Sequence, residues 1–430
     1  MKTFFQFTER GTTYRKETLA GVTTFLSMAY ILVVNPIILS QAGMDKGALF
    51  TATALSAIVG SLLIGILANF PIGIAPSMGL NSFFTFSVCI GMGVPWEIAL
   101  TGVFVAGIIF MILSVMKIRE KIINVIPQDL KYAIAGGIGF FVAFIGFKNA
   151  GLVVANPETF VSIGNLSSPA TLLAVFGFVI TLMMLVRGIR GGIFYGMVAT
   201  TVLGMITGKI EVPHSIIGKV PSLEPTFGVV FTHLGDIFTL EILAVIFTFL
   251  FVAFFDTAGA LIAVASQAGI MKDNKIPNAG RALLADSASG VAGAIFGTST
   301  TASFVESSAG VAVGGRTGFT SIVIAFCFSI ALFFSPILSV ITPEVTAPAL
   351  IIVGALMATE VRHINWSRLE IVIPTFVTII MMPLTFSVAT GIALGFVLYP
   401  LAMISLKKWK DVHPIMYILC VLFIVYFAFS

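Results

Sequence analysis

The chain contains few charged residues for its length. Only 10% of its 430 residues are charged and 58% are hydrophobic, and its mean hydropathy of +1.09 lies far above that of a soluble domain. The net charge of +4 is carried by loops, so it does not indicate a nucleic-acid partner. Cys89, Cys327 and Cys420 lie in apolar runs, without the spacing of a disulfide framework or a metal site. The four histidines do not cluster either, so we expect no metal and no cofactor.

The sequence contains many long apolar runs. Runs such as SIVIAFCFSIALFFSPILSVI at 321–341 are long enough to cross the roughly 30 Å of a bilayer core as helices. They do not alternate in polarity, as the strands of a membrane barrel do. The predicted fold class is therefore an all-α polytopic membrane protein. Fourteen transmembrane segments are predicted, at 18–36, 50–70, 75–93, 97–116, 131–150, 170–187, 191–207, 241–265, 282–297, 298–312, 317–341, 346–360, 369–386 and 388–405.

The basic residues in the loops predict the orientation. With fourteen spans, 19 of the 23 Lys and Arg fall on the side of the N-terminus, and the other side holds only Lys46, Lys148, Lys209 and Lys219. Cytoplasmic loops carry the excess of basic residues, so we expect a plasma (inner) membrane protein with a cytoplasmic N-terminus. The segment 413–430 is left over, either as an extra span or as a helix at the membrane surface.

The two sets of seven spans resemble an inverted repeat. SQAGM at 40–44 recurs as SQAGI at 266–270, and the same offset sets Tyr30 against Asp256 and Asn81 one residue from Glu306. Transporters with inverted repeats bind their solute near the midplane, between equivalent discontinuous helices. The sequence therefore predicts a site where the third and tenth spans meet.

Both of these spans contain helix-breaking residues. The first contains PIGIAPSMGLNS at 71–82, and the second contains the Gly-, Ser- and Thr-rich stretch GTSTTASFVESSAGVAVGG at 297–315. Proline removes a hydrogen-bond donor and glycine weakens a helix interior, so each span is predicted to be an extended piece followed by a half-helix. The N-terminus of such a half-helix attracts anions and hydrogen-bond acceptors. The alternative is a pair of closely packed continuous helices with small residues at the contact.

Two carboxylates lie at membrane depth. Asp256 lies in the middle of the apolar run 242–265, and Glu306 lies in the second broken stretch. Such groups are costly in a bilayer and usually face a cavity, where they bind a solute or carry protons. The absence of a motif such as H-E-x-x-H argues against a membrane enzyme. A passive channel is the other alternative, and saturable uptake that collapses with an uncoupler would exclude it.

Five motifs point to one family. They are FLSMAYILVVNP at 25–36, GIAPSMGLNSFFTF at 73–86, FFDTAG at 254–259, GTSTTASFVESSAGV at 297–311 and FVTIIMMPLTFSVATGIALGF at 376–396. Here the chain resembles the adenine–guanine–hypoxanthine permease branch of the nucleobase:cation symporter-2 (nucleobase–ascorbate transporter) superfamily. The resemblance implies proton-coupled import of a purine nucleobase by a core domain that moves against a gate domain, with a homodimer formed through the gate.

The resemblance also implies the domain organisation. Residues 18–116 and 241–341 would form the core domain, and residues 131–207 and 346–405 would form the gate domain. Around them lie the cytoplasmic N-terminus 1–17, an extracellular connection 208–240 and the C-terminal segment 406–430.

Three polar residues are the main candidates for the site. Glu306 is predicted to bind substrate, because a carboxylate accepts two adjacent ring or exocyclic N–H donors of guanine, and the resemblance also places a substrate-contacting carboxylate here. Asp256, among apolar residues, is predicted to link proton movement to transport, and direct contact with the purine is compatible with that role. Asn81 offers a donor and an acceptor to the base, the alternative being a helix cap.

Apolar neighbours complete the predicted site. Phe304, Val305 and Leu80 flank the polar candidates, and Phe304 offers a ring on which a base can stack. Asp286 is assigned a structural role, with Arg281 or a neighbouring helix end as its partner. Hypoxanthine and guanine fit a carboxylate and an amide better than adenine does. The alternative substrates for the same architecture are xanthine, uracil or an anion, and the carboxylates would repel an anion.

Overall fold

Helices account for nearly all of the ordered architecture. The computed structural model describes residues 4–116, 127–189, 191–213, 215–270, 278–340 and 342–429, with some side chains in these ranges, including that of Asp256, left undescribed. The helices are α1 Tyr14–Met28, α2 Ile31–Ser40, α3 Lys46–Leu67, α4 Met78–Ser82, α5 Trp96–Val115, α6 Gln128–Asn149, α7 Pro169–Val186, α8 Gly192–Ile206, α9 Leu240–Gln267, α10 Ala279–Phe296, α11 Ser307–Ala312, α12 Gly318–Ala331, α13 Pro343–Ala358, α14 Leu369–Leu384, α15 Val388–Ser405 and α16 Pro414–Phe429.

The predicted spans fall on these elements. In the described ranges, seven helical stretches are long and apolar enough to cross a bilayer by themselves. The total of fourteen crossings stays a prediction. Seven of the basic residues predicted on the cytoplasmic side lie outside the described residues: Lys2, Lys117, Arg119, Lys121, Arg190, Lys272 and Lys275.

Two small antiparallel sheets interrupt the helical architecture. Strand β1 (Ile74–Pro76) pairs with β4 (Thr301–Ser303), and β2 (Val153–Asn156) pairs with β3 (Phe160–Ile163) in a hairpin between α6 and α7. Strands β1 and β4 are the extended pieces predicted in the two broken spans, whereas the β2–β3 hairpin lies between predicted spans and was not predicted. The hairpin turn is stabilised by the Asn156 side chain, which accepts hydrogen bonds from the backbone N–H groups of Glu158 and Thr159.

The first predicted span is also divided. Helix α1 ends at Met28 and α2 begins at Ile31, with Ala29 and Tyr30 forming the turn between them. Pro36 lies inside α2, where it has no N–H to donate. The continuous apolar run through 25–36 predicts a single helix here, so the turn has no signal in the sequence. Tyr30 is thereby placed in the turn between the two helices, where it is almost fully buried.

The helices pack in two sets. In one, α3 packs against α10 and α12, and α5 packs against α9 and α10; in the other, α6 packs against α13 and α14, and α7 against α8. Glycine pairs allow the close crossings. A Cβ at Gly354 of α13 would lie 2.5 Å from the Gly139 oxygen of α6, and one at Gly318 of α12 would overlap the Gly65 carbonyl of α3. That the first set moves as a core against the second stays a prediction.

The two ends of the chain are attached to different sets. Glu17 of α1 is fully buried and accepts hydrogen bonds from the backbone N–H groups of Arg316 (2.9 Å) and Thr320 (3.2 Å) at the start of α12. A carboxylate at a helix N-terminus is a favourable arrangement. The C-terminal segment forms α16, which packs along α15. Whether α16 spans the membrane or lies at its surface stays open.

Candidate functional site between the two broken segments

The two broken segments cross at a pair of short strands. Ala75 of β1 lies opposite Ala302 of β4, with all six residues of the two strands buried. The pairing extends beyond the strands, since the Ser77 N–H donates to the Thr300 oxygen (3.0 Å) and the Phe304 N–H donates to the Gly73 oxygen (2.9 Å). Non-helical backbone is tolerated at membrane depth only where it is buried in protein or lines a cavity. The crossing meets this condition by pairing each broken segment with the other.

A half-helix follows each strand. Helix α4 begins at Met78 and continues as a π-helical stretch from Phe83 to Gly91, whereas α11 covers only Ser307 to Ala312. π-Helical turns are rare and are frequently found at functional sites. The predicted order of an extended piece followed by a half-helix is thus present in both segments.

Glu306 lies where the second half-helix begins. It directly precedes α11, is partly buried, and its Oε1 accepts a 2.7 Å hydrogen bond from the Tyr30 hydroxyl. Tyr30 is almost fully buried at the bend between α1 and α2. The carboxylate is therefore held by the first span while remaining partly accessible. The repeat placed Tyr30 opposite Asp256, but the contact with Glu306 had no signal in the sequence.

Asn81 lies inside a buried chain of polar side chains. Its Nδ2 donates to Asn35 Oδ1, and its Oδ1 accepts from Ser299 Oγ. Asn35 Nδ2 donates in turn to Thr53 Oγ1 (2.7 Å) and Thr298 Oγ1 (2.9 Å). All five of these residues are fully buried. The chain joins α2, α3, α4 and the approach to β4, and the sequence analysis missed Asn35, because nothing in an apolar helix marks which side chains converge.

The apolar candidates differ in exposure. Leu80 is fully buried beside Asn81 and Phe304 is 7% exposed, whereas Val305 is 54% exposed beside Glu306. The structure brings Glu306, Val305 and Phe304 together at the start of α11, and Leu80 and Asn81 together in α4. Around the predicted site residues, the second broken segment is therefore the more exposed of the two.

Asp256 lies in α9, although its side chain is outside the described set. Helix α9 packs against α4, β4 and α11, so its backbone borders both broken segments. The next residue, Thr257, donates a 2.6 Å hydrogen bond to Asp286 Oδ2, and Ser303 of β4 donates to Asp286 Oδ1 (3.1 Å). Asp286 is buried and thus attaches α10 to the strand crossing. It also lines a small cavity of about 10 Å³, which is close to the space that one water needs.

Comparison with known proteins identifies the family. The model of a permease family matches residues 15–394, which is most of the chain.

The chain belongs to this permease family.

Its relatives in the permease family agree with the resemblance drawn from the motifs. The chain is 57% identical to the guanine/hypoxanthine permease PbuG of Bacillus subtilis (strain 168), over 100% of both chains. It is 42% identical to the adenine permease AdeP of Escherichia coli (strain K12), over 99% of this chain and 95% of that one. The predicted membership of the adenine–guanine–hypoxanthine branch of the nucleobase:cation symporter-2 superfamily is confirmed, and the chain is a transporter rather than an enzyme.

A solved transporter structure has the same fold as this permease. The transmembrane domain of the cyanobacterium bicarbonate transporter BicA superposes with a TM-score of 0.62, covering 89% of this chain and 97% of that chain. The two sequences are only 17% identical, so this likeness concerns the fold alone. It agrees with a multi-pass helical membrane protein.

Proposed function

We propose that this permease imports purine nucleobases by proton symport, with hypoxanthine and guanine favoured and adenine possible as a further substrate. The observation that carries the proposal is the Tyr30-bound carboxylate of Glu306, which directly precedes a half-helix at the crossing of the two broken segments. The names of the relatives support the class of substrate, since they are guanine/hypoxanthine and adenine permeases.

The chemistry of a 6-oxo purine suits this arrangement. Glu306 offers carboxylate oxygens to the ring N–H and, in guanine, to the exocyclic amino group, and charge-assisted hydrogen bonds are stronger than neutral ones. The Asn81 amide keeps one N–H and one carbonyl lone pair beyond its two bonds to Asn35 and Ser299. A 6-oxo group would accept from that N–H. Phe304, Val305 and Leu80 would form the apolar boundary of the base.

Coupling to protons is assigned to Asp256 and Glu306. A carboxylate that binds a proton in one state and releases it in another links substrate to proton movement, because each binding event changes the free energy of the other. Since α9 packs against both broken segments, gain or loss of a proton at Asp256 would alter the packing of each segment.

Alternating access would arise from movement of the core, residues 18–116 and 241–341, against the gate, residues 131–207 and 346–405. The protein would lie in the plasma membrane with a cytoplasmic N-terminus, and two copies would associate through the gate. Xanthine, uracil or an anion are the alternative substrates, and the anion is disfavoured by the carboxylate at the site.

Radiolabelled hypoxanthine uptake into proteoliposomes tests the proposal. Uptake is measured with and without an inward proton gradient and is competed with guanine, adenine, xanthine and uracil. We expect saturable uptake that the gradient stimulates and that guanine blocks. No hypoxanthine uptake in vesicles that hold folded protein would refute the purine assignment, and gradient-independent uptake would refute proton coupling.

A further inference from the structure

The buried chain of polar side chains that contains Asn35 and Asn81 has a fixed direction of hydrogen-bond donation. Thr53 Oγ1 donates its hydrogen to the Leu49 carbonyl oxygen (2.6 Å), so it can only accept from Asn35. The amino group of Asn35 must therefore face Thr53 and Thr298, which turns its carbonyl oxygen towards Asn81. The Asn81 amino group donates to that oxygen, and the Asn81 oxygen accepts from Ser299.

We propose that Asn35 is a positioning residue that sets which way the Asn81 amide points, and that it thereby favours 6-oxo over 6-amino purines. The inference rests on the proposed function in one respect, the contact between Asn81 and the base. An amide can present an N–H or a carbonyl oxygen to a ligand, and the two ends have nearly the same shape. Without Asn35 the Asn81 amide would lose the acceptor that distinguishes its ends.

The consequence for selectivity follows from the chemistry of position 6. The oxo group of hypoxanthine accepts a hydrogen bond, whereas the amino group of adenine donates one, so the two bases need opposite ends of the amide. Sites built to satisfy one hydrogen-bond pattern reject a ligand that leaves buried polar groups unpaired. An Asn81 amide with one orientation would discriminate between the bases, and one with both orientations would not.

The location of Asn35 explains why it is suited to this role. It lies in α2, one residue before Pro36, and its three side-chain bonds reach α3, α4 and the residues before β4. None of these bonds lies within α2, so the Asn35 side chain links different elements of the structure. Asn35 thereby connects both broken segments, because Asn81 lies in the first and Thr298 leads into β4 of the second.

The test is a set of binding measurements on the purified protein with radiolabelled hypoxanthine and with adenine as competitor. We expect Asn35→Leu to weaken hypoxanthine binding about tenfold and adenine binding less than threefold. The ratio of the adenine Kd to the hypoxanthine Kd, which measures discrimination, therefore falls. Asn81→Ala should show the same loss of discrimination. The double variant Asn35→Leu/Asn81→Ala should resemble Asn81→Ala alone, because residues that act through each other are not additive.

Two further variants keep the test decisive. Thr53→Val removes the hydroxyl that fixes the direction of Asn35, and we expect a drop of about threefold in the same ratio if Asn35→Leu does not fold. Thr200→Val is the matched control, because Thr200 is equally buried but its hydroxyl bonds only to Gly196 of its own helix.

Each result has a distinct meaning. Equal weakening of both bases by Asn35→Leu, or additive effects of the two single variants, would overturn the positioning role while leaving the purine assignment intact. The same holds if Thr53→Val and Thr200→Val give the same ratio. A parent protein that binds neither base would refute the proposed function itself, and the inference with it.

Discussion

The two broken segments share a backbone plan, yet their side chains have different surroundings. The helix after β1 runs from Met78 through the π-helical stretch to Gly91, with Leu80 and Asn81 fully buried. The helix after β4 ends at Ala312, and Val305 at its start is 54% exposed. The first segment is thus buried at its predicted site residues, whereas the second carries a partly exposed carboxylate, Glu306. If the proposed roles hold, Asn81 of the first segment positions the base and Glu306 of the second binds it directly.

The first segment also carries polar groups that the observed state leaves unsatisfied. Among the described residues, the hydroxyls of Ser82 and Thr85 are buried and have no hydrogen-bond partner. Ser82 ends α4 and Thr85 lies in the π-helical stretch that follows. An unpaired buried hydroxyl costs about 1–3 kcal/mol, so a rearrangement that gave them partners would be favoured by that amount. The first segment is therefore tightly packed but not fully satisfied.

The largest effect is expected from the residue that carries the direct binding role. Glu306→Gln replaces one acceptor oxygen with a donor, and we expect hypoxanthine and guanine binding to weaken about ten- to hundredfold, since a hydrogen bond to a charged group contributes about 1.5–3 kcal/mol. Binding to purified protein gives the measurement. Glu158→Gln, at an exposed residue of the β2–β3 turn, is the control. Unchanged binding in a well-folded Glu306→Gln protein would remove Glu306 from the site.

Asp256 tests whether coupling can be separated from binding. We expect Asp256→Asn to reduce gradient-driven accumulation of hypoxanthine about tenfold, while exchange of internal for external hypoxanthine changes less than threefold, because only net accumulation needs the proton. Proteoliposomes loaded with or without unlabelled base separate the two activities. Equal loss of both would indicate a defect in binding or folding instead of coupling.

Glycines at the two half-helices test the difference in packing. A Cβ at Gly310 of α11 would lie 2.5 Å from the backbone oxygen of Ala20, whereas one at Gly79 of α4 would lie 2.6 Å from the Cγ2 methyl of the Ile138 side chain. Backbone cannot yield as a side chain does, so overpacking at Gly310 should shift α11 and Glu306 with it.

We therefore expect Gly310→Ala to weaken hypoxanthine binding about fivefold and Gly79→Ala less than twofold, consistent with about 1 kcal/mol of strain at the first position. Thermal unfolding of both variants serves as the control for stability. The reverse order of effects would show that the first segment, and not the second, sets the geometry of the carboxylate.

Sequence alone predicted the parts of this arrangement that depend on local pattern. The proline and glycine residues at 71–80 and the small residues at 297–303 identified both broken segments, and the position of Glu306 before a half-helix followed. The contacts of Tyr30 and Asn35 were missed, because both residues lie in a continuous apolar run. Their partners, Glu306 and Asn81, lie 276 and 46 positions away in the sequence. The π-helical stretch was missed too, since its residues have no composition that separates π from α.

Tyr30→Phe has a smaller expected effect than the substitutions at Glu306, Asp256 and Gly310, and it tests the contact between the first span and the second segment directly. Tyr30→Phe removes the hydroxyl that donates to Glu306 Oε1 but keeps the ring, and water can replace the lost donor because Glu306 is partly exposed. We expect about threefold weaker binding of hypoxanthine and guanine alike, which is the loss of one modest hydrogen bond. Tyr417→Phe, whose hydroxyl donates to Trp409 far from the site, is the control. Tighter binding in Tyr30→Phe would mean that the phenol competes with the base for the carboxylate, so that the first span restrains the second segment instead of preparing it.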